Sequence, residues 1–315
     1  MTSPRAAGLR WLVAPCVMSI AGCNALLGIS DPVDEGTSRA DSSVDETSDG
    51  ADVADVADVG LDAPEGSADA GAEAAADGDP DAAAADASDG SCATRYVDEI
   101  AKDAPLIWFR LDEPGSDSIA HDVVPSAVNG VYLGAHASRA GVLACEANAG
   151  NQLVDKSKMV VGGAPSFSTG PFTLELWVAM DLVDDLGRVV LTRFSPSDGG
   201  YLLLSSNAGL KFARSSASSA PDEVNAPPLV AMAMTHVVVT SDKALTLYVD
   251  GAMKAQLPAV SVVMPDKALD LAIGGPVNGH LATQGPGGYD ELLIYDHELS
   301  AARVAAHFDA ARTAK

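Results

Sequence analysis

The last two-thirds of the sequence predict an antiparallel β-sandwich, and three observations carry that prediction. From Tyr96 onward, about eleven short β-rich runs are separated by Gly, Pro, Asn and Asp. Only one convincing helix is present, at the C-terminal end. Strands and helices never alternate in the βαβ order of a parallel sheet.

The elements follow in chain order. Residues 96–102 have room for one or two helical turns before Pro105. Strands are expected at 106–111, 129–134, 172–180, 188–194, 201–205, 210–214, 235–240, 245–249, 252–257, 269–274 and 291–295. Alternation is clearest at 172–178, where Phe172, Leu174, Leu176 and Val178 share one face. Asn207-Ala208-Gly209 and Asp250-Gly251 place residues that tolerate positive φ between neighbouring runs. Ser300 can cap the terminal helix, with Leu299 and Val304 set as a hydrophobic staple. Residues 229–239 are the most apolar run, but 11 residues including His236 are too few to cross a bilayer and read as a buried strand.

The amino terminus has another character. Arg5 and Arg10 precede an almost wholly apolar stretch at 11–21, which suits the core of an export signal. Ile20-Ala21-Gly22-Cys23 closes it and resembles the bacterial lipobox, in which the cysteine thiol takes a diacylglyceryl group before cleavage. Residues 1–22 are therefore expected to be a lipoprotein signal peptide and Cys23 the lipidated residue. An ordinary secretory signal with an incidental cysteine is the competing reading. Acyl chains contribute ~0.8 kcal/mol per buried methylene, so more than one chain anchors durably. Asn24 stands where Asp would resemble an inner-membrane retention signal. The expected location is the cell envelope, at the outer membrane, with exposure on the surface.

Residues 23–91 read as a lipid-anchored, disordered acidic linker. The stretch 31–91 holds 19 acids and one Arg, no Phe, Trp, Tyr or Ile, and a short Ala-Asp-Val repeat at 51–59. It has too little apolar area to offset the entropy of ordering. As a flexible chain it spans about 40–47 Å. The whole chain carries a net charge of −25, and no part is a basic patch, so nucleic acid is excluded as a partner. The expected partners are the membrane, through the lipid, and a glycan or surface protein.

Four segments of the domain at 92–315 resemble a known family. Residues 104–113 look like the opening strand of the laminin-G-like, concanavalin A-type jelly rolls of bacterial surface proteins, and 172–178 look like their central strand. Residues 235–240 followed by 245–251 are similar to their most recognisable hairpin. Residues 289–295, with Leu299-Ser300 and a short helix, resemble the closing strand. Thr235 departs from the pattern, standing where the family commonly has Trp, and 144–163 is hard to match. The resemblance implies a jelly-roll sandwich and, in some members, a structural calcium held by loops near the sheet edge. Here Asp122, Asn129 and Asp290 fall near matching positions, and hard oxygen donors from separate loops suit that ion. The alternative makes Asp122 a turn residue and Asp290 a hydrogen-bonded strand-end acid.

Cys92 and Cys145 are the remaining thiols of an exported chain, which suggests a disulfide. Closing about 54 residues would contribute roughly 4 kcal/mol in the chain-entropy view. Two free thiols are the alternative.

No catalytic constellation stands out. Retaining glycosidases of this fold carry two carboxylates on one face of a strand. Glu175 instead stands alone among apolar residues, and the adjacent Asp290 and Glu291 should point to opposite faces. Asp181, Asp184 and Asp185 sit in an apparent loop, and 285–288 reads as another. The motifs GxSxG and HExxH are absent. His236 and His307 read as structural. The expectation is a non-enzymatic domain that binds carbohydrate or protein, or else an envelope scaffold without a glycan ligand. A degenerate glycosidase is the third reading. Of the aromatics, Tyr201 beside Gly199-Gly200 and Tyr289 after Gly287-Gly288 are the expected exposed platforms for a sugar.

Overall fold

The structure, a computed structural model, describes residues 91–312 apart from 125–127, 144–148, 168–169, 266 and 278–282. The lipid site Cys23, the acidic linker and the expected disulfide partner Cys145 lie outside these residues.

Among the described residues two helices, α1 (Ser91–Ala101) and α2 (Ala301–Arg312), flank sixteen strands. In chain order these are β1 (Ile107–Phe109), β2 (Ile119–Ala120), β3 (Gly130–Leu133), β4 (His136–Ala140), β5 (Ala149–Leu153), β6 (Lys158–Val161), β7 (Phe172–Met180) and β8 (Arg188–Ser195). Then come β9 (Gly199–Ser206), β10 (Gly209–Ser216), β11 (Asp222–Ala226), β12 (Thr235–Ser241), β13 (Leu245–Val249), β14 (Ala252–Leu257), β15 (Leu271–Ile273) and β16 (Gly287–Tyr295). The first sheet has the order β14-β13-β12-β7-β16-β5-β4, with β1 also paired to β16. The second runs β11-β10-β9-β8-β15-β6-β3-β2. The pairings within both are antiparallel, as the jelly-roll reading requires.

The main core lies between the sheets, where Phe172, Leu174, Leu176 and Val178 of β7 face Tyr201, Leu203, Leu210 and Phe212 of the second sheet. A second cluster lies on the outer face of the first sheet. Trp108, Trp177, Val238, Leu293 and Tyr295 meet Tyr96 and Ile100 of α1 and Val304 of α2 there. All nine residues of β7 are consequently buried, because each of its faces has an apolar layer against it.

The differences from expectation have local causes. The strands β2, β4, β5, β6 and β11 are additional to the eleven expected runs. Sequences such as His-Ala-Ser-Arg-Ala and Ala-Gly-Asn-Gln-Leu hide them, having few β-branched or aromatic residues. The expected strand at 106–111 pairs only over Ile107–Phe109, since Leu111 has a φ of 56° and leaves the extended region. α1 starts further upstream than expected. Only the second half of the apolar run at 229–239 is strand: Val230 and Met232 are 71% and 72% exposed, so the expectation of one buried strand across that run is corrected. The C-terminal helix begins as expected, with Ser300 Oγ accepting the Arg303 N–H at 3.3 Å and Leu299 and Val304 buried together.

Candidate functional site

The densest group of ionisable side chains lies on the helix-covered face of the first sheet. Glu175 alternates with the core-facing residues of β7 and so points towards the helices. Across the strands it pairs with Val238 and Leu293, both in the helix-side cluster. A lone carboxylate inside an apolar strand must find polar partners or become protonated. Glu175 finds three. Its Oε1 meets His236 Nε2 at 3.0 Å, and its Oε2 meets His307 Nδ1 at 2.9 Å and accepts the Tyr295 hydroxyl at 3.3 Å.

His307 continues the chain outward. Its Nε2 lies 2.8 Å from Asp103 Oδ2, so both ring nitrogens face carboxylates. Both can donate only if the ring is an imidazolium. Burial works against that charge, but Glu175 and Asp103 raise His307 above its ordinary value of 6.5. Burial likewise opposes ionisation of Glu175, and the charge and hydrogen bonds of His307 and His236 outweigh it, holding the carboxyl well below the usual carboxylate range. Arg303 of α2 closes the rim, binding Glu99 of α1 and Asp103 just beyond it.

A second carboxylate group occupies the same face. A bulge interrupts the pairing of β16 with β7 between Asp290 and Leu293, and Glu291 sits in it with a φ of 49°. The bulge corrects the expectation that Asp290 and Glu291 point to opposite faces. Asp290 pairs with Trp177, while Glu291 Oε2 accepts the Trp108 indole N–H at 2.6 Å, and both tryptophans belong to the helix-side cluster. Arg110 Nε donates to Glu291 Oε1 at 3.2 Å. Burial pushes Glu291 up to about 7 against the pull of Arg110. Burial and the neighbouring Glu291 raise Asp290 as well.

The expected sugar platforms are corrected. Tyr201 is buried between Phe172 and Phe212, with ring centroids 5.9 and 6.1 Å away. Tyr289 is buried too, its hydroxyl donating to the Gly285 carbonyl at 2.6 Å. Their flanking glycines are not loop residues; they open β9 and β16, which turns each tyrosine onto the core face. At Gly200 a Cβ would collide with the Arg193 carbonyl across the strand pair.

Three of the oxygens expected to hold calcium accept backbone N–H groups. Asp122 Oδ1 accepts the backbone N–H groups of Trp108 and Val124 at 2.9 and 3.0 Å. Asn129 Oδ1 accepts the N–H of Asp122 at 3.3 Å. Asp290 Oδ2 accepts the Val142 N–H at 2.7 Å, and its burial favours the protonated form. Among the described residues no group of three or more His, Cys, Asp or Glu is placed to hold a metal.

The outer face of the second sheet has a different surface. Leu202, Leu204 and Ala213 form its floor, clustered with Val189 and Phe194 of the same sheet. Lys211 and Glu223 pair across it at 3.6 Å, and Asn225 lies beside them. Val131 and Leu133, 41% and 46% exposed, extend it towards β2. One aromatic and a mixed polar rim place it between the polar, aromatic face that a sugar site needs and the bland or acidic one of a scaffold.

Comparison with known proteins adds the family. Residues 155–305 match the family model described as the concanavalin A-like lectin/glucanases superfamily. Those residues form a concanavalin A-like lectin/glucanase domain. The match includes β6 to β16 and the start of α2, and with them Glu175, His236, Asp290 and Glu291, while Asp103, Trp108, Arg110 and His307 lie outside it. No curated protein matches the sequence. Among solved structures, domain 4 of a GH43 extracellular arabinanase from Geobacillus stearothermophilus, in complex with arabinotriose, superposes with a TM-score of 0.52 at 17% identity. The alignment covers 66% of this chain and 98% of that domain. The binding domain of Paraclostridial Mosquitocidal Protein 1 gives 0.52 at 15% identity, covering 64% of this chain and 52% of that one. The binding domain of Botulinum Neurotoxin DC in complex with SialylT gives 0.52 at 8%, covering 67% and 52%. This chain thus spans about half the length of those two toxin domains. At such identities the likeness is one of fold, and the concanavalin A-like lectin/glucanase domain shares that fold with domains named for binding.

Proposed function

We propose that this chain is a non-catalytic binding module, anchored in the cell envelope by a lipid on Cys23 and presenting its sandwich to a carbohydrate. The observation that carries this reading is the placement of the reactive side chains. Glu175, Asp290, Glu291, His236 and His307 are each 0% exposed, so these acid–base groups fasten helices to a sheet and meet no substrate. The sugars held by similar folds support a glycan as the ligand. The acidic linker suits a tether that keeps the domain off the membrane.

The test is an oligosaccharide array probed with the full-length protein in detergent, with calcium and again with a chelator. Specific binding that survives chelation is the expected result. An array without binding by folded protein turns the reading to protein contact or scaffolding. Release of reducing sugar from any bound oligosaccharide would overturn the non-catalytic assignment. Lipid attachment is checked separately by metabolic labelling with a tagged fatty acid, with label expected on the native chain and absent from Cys23→Ala.

A further inference from the structure

The first sheet's outer face carries a row of planar polar side chains that the buried groups do not use. Gly288 of β16 pairs with Ala179 of β7 and with Gln152 of β5. Ala179 lies two residues from Trp177, so this row shares the face that the helices cover further along. Arg139 reaches from β4 across β5, and its Nη1 donates to Gln152 Oε1 at 3.0 Å. Gln152 Nε2 in turn donates to Asp181 Oδ2 at 2.8 Å, just beyond β7. The Arg139 guanidinium lies over Gly288 of β16, and the Gln152–Asp181 bond crosses that strand. A Cβ on Gly288 would fall inside the Arg139 guanidinium.

Two features distinguish this row from an ordinary surface network. Arg139 makes no ion pair among the described residues, and its one hydrogen bond goes to a neutral amide. A guanidinium held against the Gly288 backbone by its bond to Gln152 keeps further N–H donors in a planar fork, with less rotamer freedom left to lose on binding. At the other end Asp181 is half-buried and offers carboxylate oxygen, and Leu182 beside it is 47% exposed. Donors at one end, an acceptor at the other and an apolar shoulder complement adjacent hydroxyls on a saccharide ring. The outer face of the second sheet offers less: Lys211 is already paired with Glu223, Lys158 donates to the Pro276 and Val277 carbonyls, and the floor is aliphatic.

We propose that Arg139, Gln152 and Asp181 form a binding site for a neutral saccharide, laid over Gly288. The site rests on the carbohydrate-binding reading given above and names its place and its ligand class. Neutrality follows from Asp181, whose carboxylate would face a second negative charge if the sugar were acidic.

The test is binding of the full-length protein in detergent to arabinotriose and to an array of neutral and sialylated oligosaccharides, compared with three variants. Arg139→Ala deletes the donors. Gly288→Ala removes no polar group but displaces the Arg139 guanidinium. Arg139→Lys keeps the charge and loses the planar fork. The first two are expected to weaken binding of the preferred neutral sugar by about ten-fold or more, with Arg139→Lys in between and unfolding midpoints close to native. Unchanged affinity in Arg139→Ala and Gly288→Ala, with native protein binding a sugar, overturns this site and leaves the carbohydrate reading standing. Preference for sialylated over neutral sugars overturns the ligand class. No binding by the native protein overturns the carbohydrate reading, and this site with it. Should Gly288→Ala fail to fold, Arg139→Ala decides alone.

Discussion

Glu175 and Glu291 lie on the same face of the same sheet, both wholly buried and both hydrogen-bonded, yet their protonation is shifted in opposite directions. Burial works against charge in each. The difference lies in their partners. Glu175 faces an imidazolium whose second nitrogen meets another carboxylate, together with a second histidine. Glu291 faces an indole and an arginine that keeps partial contact with water, and its chain neighbour Asp290 is a further buried acid. What a buried carboxylate contributes is therefore set by the charge around it more than by its depth.

The sharpest way to break the comparison is to remove the favoured acid. Glu175→Ala leaves the His307 charge buried beside Asp103 alone and strips His236 and Tyr295 of their partner. Removing one member of a buried pair costs about 3–5 kcal/mol. Urea denaturation is expected to show a loss of that size. A loss under about 1 kcal/mol would mean that water or rearrangement serves His307 equally well.

The second test uses pH. Glu291 is raised from 4.5 to about 7, so its contribution to stability is fully present below 4.5 and is lost as pH rises through about 7. At ~1.4 kcal/mol per pH unit over that interval, the loss is about 3 kcal/mol. Glu291→Gln should flatten this part of the profile. Glu175 has the opposite sign: its contribution is present above 4.5 and is lost as pH falls further. His307, raised above 6.5, contributes fully below that value and loses its share as pH rises through its folded value. Native protein should accordingly be most stable in mildly acidic solution. Nitrogen-edited NMR should find His307 doubly protonated at pH 7, and a neutral ring there would contradict the imidazolium assignment.

Much of this architecture is legible in the sequence, and the illegible part has a common cause. β7, β13 and β14 match the expected ranges because their alternation or their flanking turns are local signals. β4, β5 and β11 are not expected, since their polar and small residues gain strand structure only from neighbours in the sheet. The candidate site divides in the same way. Glu175 is visible as an isolated acid in an apolar run, and such a residue signals that partners must exist. Which partners cannot be read locally, because His236 and His307 stand 61 and 132 residues away. Tyr201 and Tyr289 mislead for a related reason. A Gly-Gly pair suggests a loop, but here each pair begins a strand and the tyrosine takes the core face. Arg139 carries no signal at all until Gly288 is placed beneath it.

The mildest test sharpens the role of depth. Arg303 touches two carboxylates, Glu99 and Asp103, so a count of ion pairs would rank it above Glu175. Its side chain is 28% exposed, however, and those of its partners 14%. Water solvates the guanidinium in the unfolded chain and continues to screen it in the folded one, so little is gained by pairing. Arg303→Ala is expected to cost about 0.5–1 kcal/mol, several-fold less than Glu175→Ala, and that cost should shrink further in molar salt. The Glu175 effect should respond much less to salt, since its pair is screened by protein. If the two variants lose equal stability, the fastening of α1 to α2 at the rim matters as much as the buried charge beneath it. The contrast between exposed and buried pairing would then fail for this face of the sheet.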